Sequence, residues 1–284
     1  MPDFPAFDTL WNYDHPAETE RAFRDLLAQA GTYLSYELQL LTQIGRAQGL
    51  QRQFDAGHQT LDQVERRLTP ETSTAKIRYL LERGRLFNSS GAVEQARPLF
   101  EQAWQLGQQA GEPGYAVDAA HMLGILESPQ LTWNLRALDL AENSGDPRAE
   151  RWRASLYNNI GWTYHDRGDY PHALDMFERA LRLREEQGKP EPLRIARWSV
   201  ARVLRSLQQW HAALAIQQAL AAELEQINQQ DAYVDEELGE CLLALGRADD
   251  AKSCFAQAYA LLSQDDWLMQ NEAPRLERIR ALAG

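Results

Sequence analysis

A large aliphatic residue followed by glycine recurs along the chain, as Ile44-Gly45, Leu123-Gly124, Ile160-Gly161 and Leu238-Gly239. With Gly84, and with Ala201 as the small residue of a further copy, positions 45, 84, 124, 161, 201 and 239 are separated by 39, 40, 37, 40 and 38 residues. Near-constant steps of this length define a stacked array, in which each unit buries its apolar face against its neighbours. Arrays of this kind present surfaces and carry no built-in chemistry, so the pattern constrains architecture far more than partner.

The segments between these pairs read as helices. From Ala154 to Asp166, Tyr157, Ile160, Gly161 and Tyr164 recur at spacings of three and four, on one helical face. Gly168-Asp169 interrupts the pattern, and Tyr170, Ala173, Leu174, Phe177, Ala180 and Leu181 form the stripe of a second helix. The same break recurs at Gly91 and Gly246, where glycine admits the positive φ that folds one helix back on the other. Gly161, Ala173 and Ala180 let the backbones approach, while Tyr164 and Phe177 fill the space left between them.

Taken together, Ile160-Gly161, Tyr164, Gly168, Tyr170, Ala173, Phe177 and Ala180 resemble the tetratricopeptide-repeat signature. Leu238-Gly239, Leu242, Gly246, Ala251, Phe255 and Ala258 repeat it, as do Gly84, Phe87, Gly91, Val93, Ala96, Phe100 and Ala103. Two copies depart from it: Trp198 to Ala219 has Ala201 in the Gly place and Gln217 in the Phe place, and Gln39 to Val64 has Gly57 where Ala is usual. After Gly124 the turn near Ser128-Pro129 is about six residues shorter than its counterparts, which predicts a local change in stacking.

The resemblance implies an all-α fold, a right-handed α-solenoid of about six stacked antiparallel hairpins with capping helices at both ends, in one elongated domain. The expected organisation is an N-terminal segment and capping helix over 1–36, repeats at 37–71, 72–110, 113–145, 148–187, 190–229 and 231–264, and a C-terminal capping helix over 265–284. The steps exceed the roughly 34 residues of the standard unit, which predicts lengthened helices such as Ala173 to Gln187. Asp14-His15-Pro16 and Asn271-Glu272-Ala273-Pro274 read as the starts of the terminal helices. Phe23, Leu26 and Leu27 at one end, and Leu276, Ile279 and Leu282 at the other, are placed to cover the ends of the array.

Composition narrows the function classes. At 44% hydrophobic residues, with 12 Pro and 17 Gly in 284 residues, the chain has the make-up of a folded protein rather than a collagenous or disordered one. A formal charge of -12 repels phosphate backbones and anionic lipid, so neither nucleic acid nor membrane is an expected partner. Met1-Pro2-Asp3-Phe4 begins neither a basic nor an apolar leader, and no run reaches the roughly 18 apolar residues of a membrane span, so a cytoplasmic location is expected. The two cysteines, Cys241 and Cys254, are too few for a disulfide framework and read as free, mostly buried thiols.

No phosphate-cradling loop, nucleophile elbow, zinc-protease helix or dinucleotide fingerprint occurs, so no enzyme activity, cofactor or metal is expected. His165, Asp166, His172 and Asp175 include metal-ligand and acid-base residue types, but they fall around a hairpin turn and read as solvated. Glu236, Glu237, Glu240, Asp249 and Asp250 read as a solvated acidic face.

In proteins resembling this one the first helix of each hairpin lines a groove. Matching columns of that face hold Asn158, Asn159, Trp162 and His165 in one unit and Trp198, Ser199, Arg202 and Arg205 in the next. Arg46, Glu82, Arg85 and Asn88 occupy the same places upstream, and Glu236, Glu237 and Glu240 downstream. Of these, Arg85, Asn88, Asn158, Asn159, Trp162, His165, Trp198, Arg202 and Arg205 form the candidate binding surface. Amides bond a peptide backbone, guanidiniums pair with carboxylates, and indoles cover apolar side chains, which suits an acidic or C-terminal segment. The five-residue carboxylate clamp of chaperone-binding relatives is not reproduced, since Asn158, Leu81 or Asp118 stands at its Lys places. The expected function is a non-enzymatic protein- or peptide-binding scaffold. Alternatives are a ligand- or peptide-responsive regulator, for which residues 1–36 are short for a helix-turn-helix, and a self-assembling homo-oligomer joined through exposed Phe4, Phe7, Trp11 and Trp267.

Overall fold

The computed structural model describes residues 5–30, 33–126 and 131–284, and among them every regular element is helical. The chain forms two compact units, Met1–Leu156 and Tyr157–Gly284. In the first, α1 (Pro16–Gln29) precedes the hairpins α2 (Leu34–Leu50) with α3 (Phe54–Glu65), α4 (Ser73–Ser89) with α5 (Val93–Gln109), and α6 (Pro113–Leu126) with α7 (Leu131–Asn143). The short α8 (Pro147–Glu150) leads into α9 (Arg153–Asp166). In the second, the rest of α9 pairs with α10 (Tyr170–Gln187), α11 (Pro190–Ser206) with α12 (Trp210–Gln226), and α13 (Ala232–Ala244) with α14 (Ala248–Leu262). Helices α15 (Asp266–Asn271) and α16 (Ala273–Ala283) follow.

Each hairpin closes on an exchange of side-chain size. A Cβ added to Gly84, Gly161 or Gly239 would stand 2.6, 2.6 and 2.9 Å from the rings of Phe100, Phe177 and Phe255, all fully buried. Helix–helix contact therefore depends on the missing Cβ. Gly45 faces Leu61 at 3.1 Å in the same register. The partner stands sixteen positions after the small residue in these pairs, and Gln217 bears that relation to Ala201. Gly124 instead faces Asn134, ten positions on, at 2.9 Å. The Ser128-Pro129 turn itself lies outside the described residues, but this pairing carries the six-residue deficit read from the sequence.

The turns repeat as faithfully. Gly91, Gly168 and Gly246 have φ of 85°, 76° and 77°, seven positions after the small residue of their hairpins. The same place is filled by Arg52 at φ 59° and Gln208 at 62°. In all five the next N–H bonds back five residues, as in Asp169 N to Tyr164 O at 2.9 Å and Gln209 N to Leu204 O at 2.9 Å, which satisfies a carbonyl at the helix end. Stacking thus imposes the left-handed turn even where no glycine supports it.

At the start of the first unit Phe23 is fully buried, with the Phe7 and Trp11 rings edge-on to it at 6.2 and 5.4 Å. Leu276 and Ile279 of α16 are buried against α14 in the second unit. The terminal helices start at the expected places, Pro16 and Ala273, but His15 and Glu272 occupy the N-cap positions without side-chain capping bonds. Caps with side-chain bonds occur elsewhere, as where Asp265 accepts from Trp267 N at 2.8 Å. Phe7 is buried and Trp11 half-buried, so neither is an exposed assembly residue; Phe4 lies outside the described residues, and Trp267 is 61% exposed. Among the described residues no helix is long and apolar enough to cross a membrane.

Candidate functional site

In the second unit the first helices α9, α11 and α13 bring the column residues into one contiguous chain of contacts. The Trp162 and Trp198 rings lie 5.8 Å apart, and Tyr233 meets Trp198 edge-on at 6.3 Å. Trp198 Nε1 donates to the Tyr233 carbonyl at 3.2 Å, which fixes the indole without covering its face. Trp162 also packs on Phe177 at 5.0 Å, so it joins the core to the surface. Beside these rings opens a cleft of about 630 Å³, whose wall includes Ile195, 54% exposed, and Tyr233, 43% exposed. Arg194, Glu191 and Asp231 rim it. A cleft of this size with an apolar wall and few polar groups accepts a bulky side chain.

From Trp162 the contacts continue into buried charge. His165 lies edge-on to Trp162 at 5.2 Å, its Nε2 3.0 Å from Ser206 Oγ. Arg202 Nη1 donates to Ser206 Oγ at 2.7 Å and approaches His165 Nε2 at 3.3 Å. A guanidinium only donates, so Nε2 accepts and His165 is neutral. Burial and the Arg202 charge hold its pKa below the ordinary histidine value. Glu237, 4% exposed, receives Arg205 Nε at 2.7 Å, Arg205 Nη2 at 3.0 Å and Arg202 Nε at 3.1 Å. Burial pushes the Glu237 carboxyl up, opposed by the hydrogen bonds and charge of Arg205 and then Arg202. Two guanidiniums share one buried carboxylate. Arg205 has a further acid in Glu240 at 3.9 Å, leaving Arg202 the less compensated.

Two sequence expectations are corrected here. Glu236, Glu237 and Glu240 are not a solvated acidic face: Glu236 binds Arg275 and Glu240 binds Arg278, on α16, while Asp249 and Asp250 are exposed as expected. His165 is not solvated either, unlike His172, which is exposed against Asp169 at 2.7 Å. Among the described residues no group of His, Cys, Asp and Glu is placed to hold a metal. Ser199 is buried and donates to Asn158 Oδ1 at 3.3 Å, and Asn158 and Asn159 are half-buried. Cys241 is buried, its thiol pushed up to about 11 chiefly by burial, and Cys254 is half-buried.

In the first unit Arg85 sits between Glu82, at 2.8 Å, and Asp118. Burial works against the Arg85 charge, but Asp118 and Glu82 outweigh it and raise its pKa. Arg46 approaches Glu82 at 3.5 Å, and Asn88 is half-buried near the end of α4. The sequence columns missed Ile195, Arg194 and Tyr233, which reach the cleft from helix starts. An exposed isoleucine next to tryptophan-bearing positions was the available signal.

The packing defines an all-α array of stacked helical hairpins. A sequence profile of the tetratricopeptide repeat matches residues 131–186. No curated protein sequence matches it. Among solved structures, the apo form of RapI is similar with a TM-score of 0.68 at 10% identity, over 92% of this chain and 77% of that one. BtubC from P. vanneervenii is similar with a TM-score of 0.60 at 16% identity, over 80% of this chain and 94% of that one. NprR in complex with its cognate peptide NprX is similar with a TM-score of 0.51 at 16% identity, over 98% and 80%. At these identities the likeness is one of fold.

Proposed function

We propose that the protein is a non-enzymatic binding scaffold for an extended peptide or protein segment, held on the first-helix face of the second unit. The carrying observation is the cleft beside Trp162 and Trp198, in whose wall Ile195 is 54% and Tyr233 43% exposed. An apolar side chain enters there, Asn158 and Asn159 bond the segment's backbone, and a carboxylate pairs with Arg202, the guanidinium least compensated by Glu237. The fold likeness to NprR, whose structure holds a peptide, supports this reading. The test is capture from lysate with wild-type bait beside a Trp198→Ala/Arg202→Ala bait, followed by calorimetry with synthetic segments of any protein retained. Loss of binding of an acidic segment on the variant is expected. Equal affinity for both baits refutes the reading.

A further inference from the structure

The first unit holds a second cleft, of about 370 Å³, that the peptide-binding reading does not use. Aromatic faces form much of its wall. Trp11 and Tyr13 stack at 4.9 Å with their planes 8° apart, and Arg46 lies over both, 5.3 and 5.5 Å from the ring centres. Tyr115 and Trp152 complete it.

The charges in this cleft do not balance. Glu82 and Asp118 are shared between Arg46 and Arg85, and Arg148 is bound outside the cleft by Glu112 and Asp146. Arg78, also on the lining, has no acidic partner among the described residues. Its guanidinium is stacked between Phe7, at 4.7 Å, and Tyr115, at 4.9 Å, and its buried Nε has no acceptor. Four residues along α4, on the same helical face, the buried Glu82 has an Oε2 that receives no donor. Arg78 and Glu82, each with one buried polar atom left without a partner, thus line one aromatic-walled cleft. Unmade hydrogen bonds of buried groups are costly, so a ligand that completes both gains from each.

We propose that this cleft binds a small aromatic anion that also carries an N–H or O–H donor: the anion on Arg78, the donor on Glu82, and the ring among the aromatic side chains of the wall. Stacking by Phe7 and Tyr115 holds the Arg78 fork in place before the ligand arrives, which favours a planar carboxylate over a spherical ion.

The experiment is calorimetric titration of the full chain with 4-hydroxybenzoate, which has both groups, beside benzoate, which lacks the donor, and neutral 4-hydroxybenzyl alcohol. Saturable binding of 4-hydroxybenzoate is expected at a Kd on the order of 1 mM or tighter, with benzoate weaker and the alcohol weaker by about tenfold or more, as for loss of a charge-assisted hydrogen bond. Arg78→Met keeps the packing against both rings and is expected to weaken 4-hydroxybenzoate by about tenfold or more. Circular dichroism checks its fold. If Arg78→Met fails to fold, Arg78→Lys replaces it, and it too must weaken binding because an ammonium lacks the planar fork. No saturation by 4-hydroxybenzoate, equal binding of the alcohol, or unchanged binding by the folded variant overturns the proposal.

Discussion

Replacing Ala201 and Gln217 together tests the size-exchange rule that closes each hairpin. Gln217 is fully buried, and neither its Oε1 nor its Nε2 has a hydrogen-bond partner. An unpaired buried amide costs roughly 1–3 kcal/mol. Gln217→Phe alone removes that cost and adds apolar burial, but the ring meets the Ala201 Cβ. In the sister hairpins a Cβ at the same place would lie 2.6 to 2.9 Å from ring carbons, and overpacking of this kind costs about 1–3 kcal/mol. The single variant is therefore expected near wild-type stability. Ala201→Gly alone loses about 1 kcal/mol of helix propensity and leaves a gap. The double variant rebuilds the Gly161-Phe177 pairing and is expected to be more stable than wild type by about 1–3 kcal/mol. Urea unfolding of the four proteins yields the coupling energy, expected at about 1 kcal/mol or more in favour of the pair. Additivity within about 0.3 kcal/mol, or Gln217→Phe as stable as the double variant, refutes the reasoning.

Glu237→Ala leaves Arg202 and Arg205 half-buried without their shared carboxylate and is expected to destabilise by about 3 kcal/mol, read by urea unfolding. Gln208→Gly relieves a left-handed turn at φ 62° and is expected to stabilise by about 1 kcal/mol, whereas the same change at the right-handed Leu207 is not; melting temperatures of the two variants check this. Burial, then the Asp231 charge, raises Asp235 from 3.8 to about 6. Below the unfolded pKa both states are protonated, and above the folded pKa both are ionised, with the burial cost then borne by the folded state. Stability contributed by Asp235 is thus lost as pH rises through that window, by about 1–3 kcal/mol. Asp235→Asn is expected to flatten this part of a pH-stability profile measured by urea unfolding and to be the more stable protein above pH 7.

The hairpin order, the glycine turns at 91, 168 and 246, and the Gly-Phe pairs were legible in the chain, because helix periodicity and turn chemistry act over a few residues and recur in each unit. The column placing Trp162, Trp198, Arg202 and Arg205 on neighbouring first helices followed from the same repeat length. What each of those side chains does did not follow. Arg205 meets Glu237 thirty-two residues away, and Arg275 on α16 meets Glu236 thirty-nine away, so an acidic run that looks solvated in sequence is neutralised in the fold. The left-handed Arg52 and Gln208 carry no local signature, since the turn there is set by the helices on either side. Trp11, Tyr13, Arg78 and Tyr115 reach one cleft from three different segments, a meeting that no periodicity encodes. Local spacing determined which elements form and how they pair, while packing between elements some forty residues apart decided which charges are cancelled and which are left facing a cavity.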